Sequence, residues 1–262
     1  MSILKQIYEY KKEFVKTRKI SNPLDGVIKE SDKYKPKGFI SKIETDILNN
    51  NISIIGELKK ASPSAGIIFS DENDYHNIAN IYENNGISCL SILTDEKYFK
   101  GSDKDLEKIR SKVKLPIIRK DFIVDRYQLF ESKMLGADCI LIILSMLDKA
   151  EAIDLEEEAI SIGLDVLIET HDKIEMDIAT SMKSKLIGIN NRNLNDFSVD
   201  INNSINLTSN PINGKIYVCE SGIKTLKEVN IIKNNSVIRT FLIGESLMRS
   251  SDLEEQIRTL LR

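Results

Sequence analysis

The sequence predicts an α/β fold, a (β/α)8 TIM barrel with an N-terminal helical extension. Two observations favour it: apolar runs of strand length recur eight times, and segments with helical spacing lie between them. Alternation of this kind is typical of parallel βαβ units, and eight units are the number a closed barrel requires. A doubly wound open sheet usually has fewer strands and a glycine-rich first turn. The sequence contains no G-x-G-x-x-G motif after its first run.

Residues 1–50 precede the repeat and have the spacing of two amphipathic helices. The apolar positions of the two helices are Ile3, Leu4, Ile7, Phe14 and Val15, then Phe39, Ile43, Ile47 and Leu48. Prolines at positions 23 and 36 separate the two patterns. We therefore predict one barrel domain over residues 1–262, with residues 1–50 as a helical extension packed on it.

The eight predicted strands are short runs of β-branched and other apolar residues. They cover residues 53–58, 87–93, 115–119, 139–143, 165–168, 186–189, 215–219 and 240–243. Parallel strands are buried on both faces, so continuous apolar runs are expected for them. Helical spacing is shown by Ile78, Ile81 and Tyr82, by Leu106 and Ile109, by Tyr127, Phe130 and Met134, by Ile153 and Ile160, by Ile174 and Ile178, and by Leu226 and Val229.

The composition excludes several classes of protein. The chain has 262 residues, of which 41% are hydrophobic and 29% charged, as in ordinary globular proteins. A net charge of −3 without a long basic block argues against a nucleic-acid partner. The N-terminus does not resemble a signal peptide, and no apolar run approaches the roughly 20 residues that span a membrane.

The chain has three cysteines and two histidines, too few and too scattered for a metal-ligand cluster. Because no C-x-x-C pair occurs, we expect buried, reduced thiols. We predict a cytoplasmic protein that is a monomer or a weak dimer, without a metal, a membrane or a nucleic acid as partner.

Polar residues stand where the predicted strands end, which in a parallel barrel is the face that carries reactive groups. Glu57 and Lys59 are two residues apart, so their side chains point to the same side of the strand. Lys120 shares the inward face with Ile118. Later runs end at Glu169, Asn190, Arg192 and Glu220. Each could be an ordinary turn residue, but together they predict one polar cluster at the barrel mouth.

The two histidines are assigned lesser roles. His171 follows Glu169 by two residues, and we predict a loop or supporting position for it rather than a part in the chemistry. His76 lies on a helical stretch, where a surface or packing role is expected.

The loops after the last two strands predict a phosphate site. Ser221-Gly222 follows the seventh run, and Gly244-Glu245 follows the eighth. In many barrels these two loops hold a phosphate through backbone N–H groups, and glycine permits the close approach. Ordinary turn glycines remain the alternative.

Seven ordered motifs resemble the indole-3-glycerol-phosphate synthase family over nearly the whole chain. They read GELKKASPS (56–64), LTDEKYFKGS (93–102), RKDFI (119–123), IETHD (168–172), GINNRNL (188–194), ESGI (220–223) and GESLMR (244–249). The resemblance implies a carboxy-lyase of tryptophan biosynthesis. Such an enzyme converts 1-(2-carboxyphenylamino)-1-deoxyribulose 5-phosphate to indole-3-glycerol phosphate, CO2 and water, without a cofactor.

The resemblance also implies catalytic roles at the matching positions. Lys120 matches the general acid that acts on the substrate carbonyl, and Glu169 matches the base of the dehydration. Glu57 and Lys59 match a pair that orients the substrate and exchanges protons in the later step. The division of the second acid and base among Glu57, Lys59 and Glu169 stays open. The remaining catalytic positions are Asn190 and Glu220, which steer the lysines and hydrogen-bond the substrate.

Substrate-binding residues are implied in the same way. Arg192 matches the residue near the substrate carboxylate and sugar. The phosphate positions are Lys59, Ser62, Ser221, Gly222, Gly244 and Glu245. Since a carboxylate repels phosphate, we expect Glu245 to bind through its backbone N–H while its side chain points away. Candidates for the apolar anthranilate pocket are Phe99, Phe122, Leu141 and Leu242.

Two other functions remain as alternatives. Another phosphate-binding barrel, such as a sugar-phosphate isomerase, is disfavoured by the motifs at 119–122 and 190–192. A catalytically inert barrel that binds a phosphorylated ligand and serves as a partner subunit is disfavoured because Glu57, Lys59, Lys120 and Glu169 are all present.

Overall fold

A computed structural model describes residues 3–50, 52–69, 72–194 and 196–262. Eight parallel strands close into a barrel, in which the first strand pairs with both the second and the last. The strands are β1 (Ser53–Leu58), β2 (Cys89–Leu93), β3 (Ile117–Lys120), β4 (Cys139–Ile143), β5 (Asp165–Thr170), β6 (Leu186–Asn190), β7 (Ile216–Glu220) and β8 (Thr240–Ile243). The predicted barrel fold is thereby confirmed. Residues 1 and 2 of the predicted extension lie outside the described residues.

Within the described ranges, three helices come before the first strand in the sequence, and the other helices follow the strands. They are α1 (Ile3–Ser21), α2 (Leu24–Ser31), α3 (Phe39–Asn50), α4 (Glu72–Asn84), α5 (Glu96–Phe99), α6 (Asp103–Arg110), α7 (Tyr127–Met134), α8 (Lys149–Ser161), α9 (Lys173–Ser181), α10 (Asn202–Leu207), α11 (Leu226–Asn235), α12 (Glu245–Met248) and α13 (Leu253–Leu260). The loop after β1 forms a small antiparallel hairpin between Ala61–Ser62 and Gly66–Ile67. No helix in the described part of the chain is both long and apolar enough to cross a bilayer.

Along each strand, side chains alternate between facing into and out of the barrel. The inward-facing side chains are apolar in the barrel interior and polar at the carboxyl ends of the strands. Ile55, Ile118 and Leu167 belong to the core cluster inside the barrel. Because inward positions recur every second residue, Glu57, Lys120 and Glu169 are the next inward side chains towards the carboxyl ends. The sequence pattern thus fixes both the apolar interior and the polar rim above it.

Three strands match their predicted bounds, and five differ by one or two residues at one or both ends. β5 and β7 continue to Thr170 and Glu220, beyond the last apolar residue of each run. Glu169 pairs in the ladder with Gly188, and Glu220 pairs with Asn190. The predicted ends were wrong there because the ladder continues through polar side chains that face the cavity.

The N-terminal extension contacts both ends of the barrel. From α3, Phe39 and Ile43 are buried in the interior core cluster at the amino end of the strands. From α1, Ile7 reaches the opposite mouth. Lys11 of α1 is only 2% exposed and forms ion pairs of 2.9 Å with Asp95 and 2.5 Å with Asp121. These buried ion pairs hold α1 against the loops after β2 and β3.

Helix α2 was not predicted from the sequence. It follows Pro23 and includes Gly26, so its eight residues give little periodic signal. Its Val27 packs with Tyr127 and Phe130 of α7 in a separate small core cluster. Tertiary packing therefore stabilises a segment whose local propensity is weak. The three cysteines are buried with free thiols, as predicted.

Candidate active site

One cavity of about 1020 Å3 opens at the carboxyl ends of the strands, and every predicted site residue lines it. The polar members are Glu57, Lys59, Ser62, Lys120, Glu169, Asn190, Arg192, Glu220, Ser221 and Glu245. The remaining members are Phe99, Phe122, Leu141, Gly222, Leu242 and Gly244. Residues from all parts of the barrel sequence therefore meet around a single space.

Glu57 and Lys59 form an ion pair at the end of β1. Lys59 Nζ lies 2.6 Å from Glu57 Oε2, and the hydroxyl of Ser91 donates to Glu57 Oε1 at 3.4 Å. The two side chains face the same side, as their spacing predicts. Their charges are neutralised locally while both remain at the cavity wall.

Lys120 lies between two carboxylates. Its Nζ is 2.8 Å from Glu169 Oε2 and 3.1 Å from Glu220 Oε2. Burial alone would lower the pKa of Lys120, but the carboxylates of Glu169, Glu220 and Glu57 outweigh burial and raise it. Lys120 is therefore an ammonium ion at neutral pH and has a proton to donate.

The two carboxylates beside Lys120 are shifted in opposite directions. Burial tends to raise the pKa of both. At Glu169 the charges of Lys120 and His171 outweigh burial and hold the pKa well below its usual range. At Glu220 burial and the neighbouring charge of Glu169 prevail over Lys120, so its pKa is raised. Glu169 is thus the ionised member, and Glu220 is the one that retains a proton more readily.

Asn190 connects the carboxylate of Glu169 to the loop after β7. Its Nδ2 donates to Glu169 Oε1 at 3.2 Å. Its Oδ1 accepts from the Ser221 hydroxyl at 2.9 Å and from the Arg192 backbone N–H at 3.1 Å. The amide is therefore oriented from both sides, with its donor aimed at Glu169.

Glycine at position 188 makes room for Glu220. A Cβ atom at Gly188 would lie 2.0 Å from Glu220 Oε1, well inside any contact distance. A larger residue in β6 would have to displace the carboxylate that pairs with Lys120. Glycine at position 188 is therefore needed for the carboxylate of Glu220 to occupy its observed position.

The loops after β7 and β8 form another wall of the cavity. Ser221 and Gly222 both have positive φ angles, 65° and 89°. The carboxylate of Glu245 lies 3.3 Å from Arg249 Nε, one turn further along the chain. The side chain of Glu245 therefore forms an ion pair with Arg249.

Apolar side chains form a further part of the cavity wall. The rings of Phe99 and Phe122 are 6.0 Å apart between centroids and tilted by 43°. Leu141 and Leu242, both buried, belong to the interior core cluster together with Phe122. An aromatic acid could place its ring against this apolar wall while polar groups meet its carboxylate.

Several cavity residues were missed in the sequence. Ile3, Leu4 and Ile7 of α1 line the mouth, but an apolar helix face gives no sign of what it covers. Arg249 also lines the cavity. Arg249 belongs to the GESLMR motif, so its positive charge next to a predicted phosphate loop could have identified it as a cavity residue.

The two histidines, for which lesser roles are predicted, are not among the described residues that line the cavity. His171 is largely buried, with Nε2 3.3 Å from Glu169 Oε1. His76 is buried at 8% exposure, with Nε2 3.6 Å from Asp105.

Comparison with protein families gives a match to a family model described as indole-3-glycerol phosphate synthase, over residues 4–260. The indole-3-glycerol phosphate synthase of Azospirillum brasilense is 42% identical over 260 residues, covering 99% of this chain and 98% of the relative. That of Legionella pneumophila strain Paris is 40% identical over 260 residues, with the same coverage of both chains.

Solved structures with low sequence identity share the fold. The tryptophan synthase subunit alpha from Legionella pneumophila str. Paris has a TM-score of 0.60 at 12% identity, covering 85% of this chain and 95% of its own. Thiamine phosphate pyrophosphorylase from Pyrococcus furiosus has a TM-score of 0.59 at 10% identity, covering 81% and 95%. At such identities the likeness concerns the barrel architecture alone.

Proposed function

The chain belongs to the indole-3-glycerol phosphate synthase family, and we propose that the residues of its barrel cavity catalyse this family's reaction in the roles given below. The protein is a decarboxylating lyase of tryptophan biosynthesis that acts on a phosphorylated small molecule. The observation that carries the assignment of roles is the position of Lys120 Nζ, between Glu169 and Glu220 at the cavity wall.

The first step is ring closure, for which Lys120 is the acid. The aryl carbon that bears the substrate carboxylate attacks the C2 carbonyl of the sugar, and negative charge develops on the carbonyl oxygen. A buried ammonium group can deliver a proton to this oxygen. Cleavage of the bond to the carboxylate then releases CO2 and returns its electron pair to the ring, which becomes aromatic again.

The second step is dehydration, for which Glu169 is the base. A proton leaves the former C1 of the sugar and hydroxide leaves the former C2. Once Lys120 has given up its proton, one of the positive charges that lower the pKa of Glu169 is gone, while burial still raises it. Glu169 therefore becomes a stronger base after the first step, when a base is required.

Glu57 and Lys59 supply the remaining proton transfer and orient the substrate. Their 2.6 Å contact lets a proton move between them or to the departing hydroxide. Asn190 holds Glu169 by a 3.2 Å hydrogen bond, and Glu220 holds Lys120.

The two ends of the substrate are bound by different walls of the cavity. The apolar wall of Phe99, Phe122, Leu141 and Leu242 receives the anthranilate ring, and Arg192 meets its carboxylate. The phosphate is bound by Lys59, Ser62, Ser221, Gly222, Gly244 and the backbone N–H of Glu245. The pairing of the Glu245 carboxylate with Arg249 supports this, because it reduces repulsion between carboxylate and phosphate.

A charge at position 222 is expected to weaken phosphate binding. Gly222 has a φ of 89°, and a Cβ there would lie 2.8 Å from Val199 and 2.9 Å from Ile201. Any substitution therefore strains the backbone, and Gly222→Ala serves as the matched control. Relative to Gly222→Ala, we expect Gly222→Asp to raise KM by a further factor of about ten, with little further change in kcat. Equal KM values in both variants would place the phosphate elsewhere.

The activity itself is tested by product fluorescence. The chain has no tryptophan, so the indole of the product is observed against tyrosine emission alone. We expect indole emission to grow when substrate is added to the purified protein. Substrate binding without any indole emission would instead favour the inert barrel that serves as a partner subunit.

We further propose that the chain acts as one domain in the cytoplasm, as a monomer or a weak dimer, without a nucleic-acid partner or a cofactor. Three buried free thiols fit a reducing compartment. The contacts of α1 and α3 with opposite ends of the barrel support a single folding unit. Sedimentation equilibrium over a range of concentrations measures the oligomeric state.

A further inference from the structure

His171 is a largely buried imidazole between two carboxylates. Its Nε2 lies 3.3 Å from Glu169 Oε1, and its Nδ1 lies 3.1 Å from Glu175 Oε2. Its side chain is 15% exposed, and the side chain of Glu169 is 4% exposed. A row of alternating charge thus runs from Glu175 through His171 and Glu169 to Lys120.

The surrounding backbone holds this row in place. Glu175 Oε2 also accepts the backbone N–H of His171 at 2.7 Å. The backbone N–H of Glu175 is capped by Asp172 at 2.9 Å, at the start of α9. Asn203 of α10 donates to the His171 carbonyl at 3.1 Å. The backbone and the Nδ1 side of the ring are therefore held from α9 and α10, and Nε2 lies at ion-pair distance from Glu169.

The carboxylate of Glu169 is held on both oxygens. Lys120 contacts Oε2, while Asn190 and His171 both approach Oε1. If Lys120 loses its charge during ring closure, the contacts at Oε1 are the ones that remain. Among the described residues that contact Oε1, which are Asn190 and His171, the imidazole is the one that can carry a full charge.

We propose that His171, supported by Glu175, is a positioning residue that keeps the carboxylate of Glu169 oriented and ionised through the reaction. The inference rests on Glu169 being the base proposed above. Glu175 plays the part that a carboxylate plays behind a histidine in many sites, since it fixes the ring and favours its charged form.

The protonation state supports this arrangement. Burial tends to lower the pKa of His171, but Glu169 of β5 and Glu175 of α9 outweigh burial and raise it to about 10. At His76, burial prevails over Asp105, and the pKa is lowered. The two histidines of the chain should thus titrate on opposite sides of the ordinary value.

Nuclear magnetic resonance of the imidazole protons tests the charge directly, without reference to activity. The chain has only two histidines, and His76→Asn assigns both signals. We expect His171 to stay protonated through pH 8 in the full-length protein, and Glu175→Gln to lower its pKa by more than about one unit. Titration of His171 near its ordinary value, unchanged by Glu175→Gln, would overturn the proposal.

Kinetics test the positioning. His171→Asn retains a polar side chain but no charge, and we expect kcat to fall about tenfold while KM changes less than about twofold. The acid limb of the kcat profile should move to higher pH, because the pKa of Glu169 rises without the imidazolium. Glu175→Gln should lower kcat and move the acid limb to higher pH as well, but by smaller amounts. His76→Asn should change neither kcat nor the acid limb.

The two proposals fail in different ways. Normal kcat and an unmoved acid limb in folded His171→Asn would reject the positioning role, while the role of Glu169 would still stand on its own variant. If His171→Asn does not fold, Glu175→Gln tests the inference instead, because that variant retains His171. An unaltered pH profile of kcat together with an unaltered titration of His171 in Glu175→Gln would reject the inference. A normal kcat in Glu169→Gln would instead reject the assigned base.

Discussion

Replacing Lys120 by alanine is expected to lower kcat by about 10³-fold while the dissociation constant of an unreactive analogue changes by less than about threefold. With Lys120 as the proposed proton donor for the carbonyl oxygen, the variant should be blocked at ring closure itself. The cavity walls to which we assign the ring and the phosphate are unaltered. Product fluorescence measures kcat, and calorimetry with an analogue whose C2 carbonyl is reduced to an alcohol measures binding.

The control for this prediction is Lys120→Arg. Alanine leaves Glu169 and Glu220 buried without their shared cation, which can cost about 3–5 kcal/mol of folding free energy. Arginine retains the positive charge, yet at neutral pH it does not give up a proton. We expect Lys120→Arg to be stable and nearly inactive, whereas more than about a tenth of normal kcat in a folded variant would contradict the role of Lys120 as acid.

Replacing Glu169 by glutamine is expected to lower kcat by about 10²- to 10³-fold through the later step. Glutamine has nearly the same shape as glutamate but cannot take the proton during dehydration. Ring closure and loss of CO2 precede this step, so one CO2 per active site should be released rapidly. The closed, hydrated intermediate should then accumulate. Rapid quenching with mass spectrometry detects the intermediate, and trapped CO2 gives the burst.

The contrast between the two variants identifies the roles. Lys120→Ala should give no CO2 burst, because it fails before decarboxylation. Glu44→Gln, at an exposed residue paired with Lys185, serves as a control and should behave as the unaltered protein. Absence of the burst in Glu169→Gln would show that Glu169 acts before CO2 leaves, and the assigned order of steps would be wrong.

Much of the fold and of the site could be predicted from the sequence. Strand periodicity places Glu57 two residues after Ile55 and Lys120 two after Ile118, so both must face inward. The carboxyl ends of parallel strands lie on one face of a barrel, so polar residues at these ends meet although they are far apart in the chain. For this reason the predicted site residues line one cavity.

The sequence by itself therefore determined the fold class, the inward faces of the strands and the polar residues that line the cavity, because these follow from local periodicity and from the closure of parallel strands. Only the tertiary structure decided which groups pair within the site. Lys120 contacts Glu169 and Glu220, while Glu57 contacts Lys59. It also decided that α1 reaches the cavity mouth and that His171 faces Glu169. Such contacts depend on distances between side chains of separate elements, which no local pattern encodes.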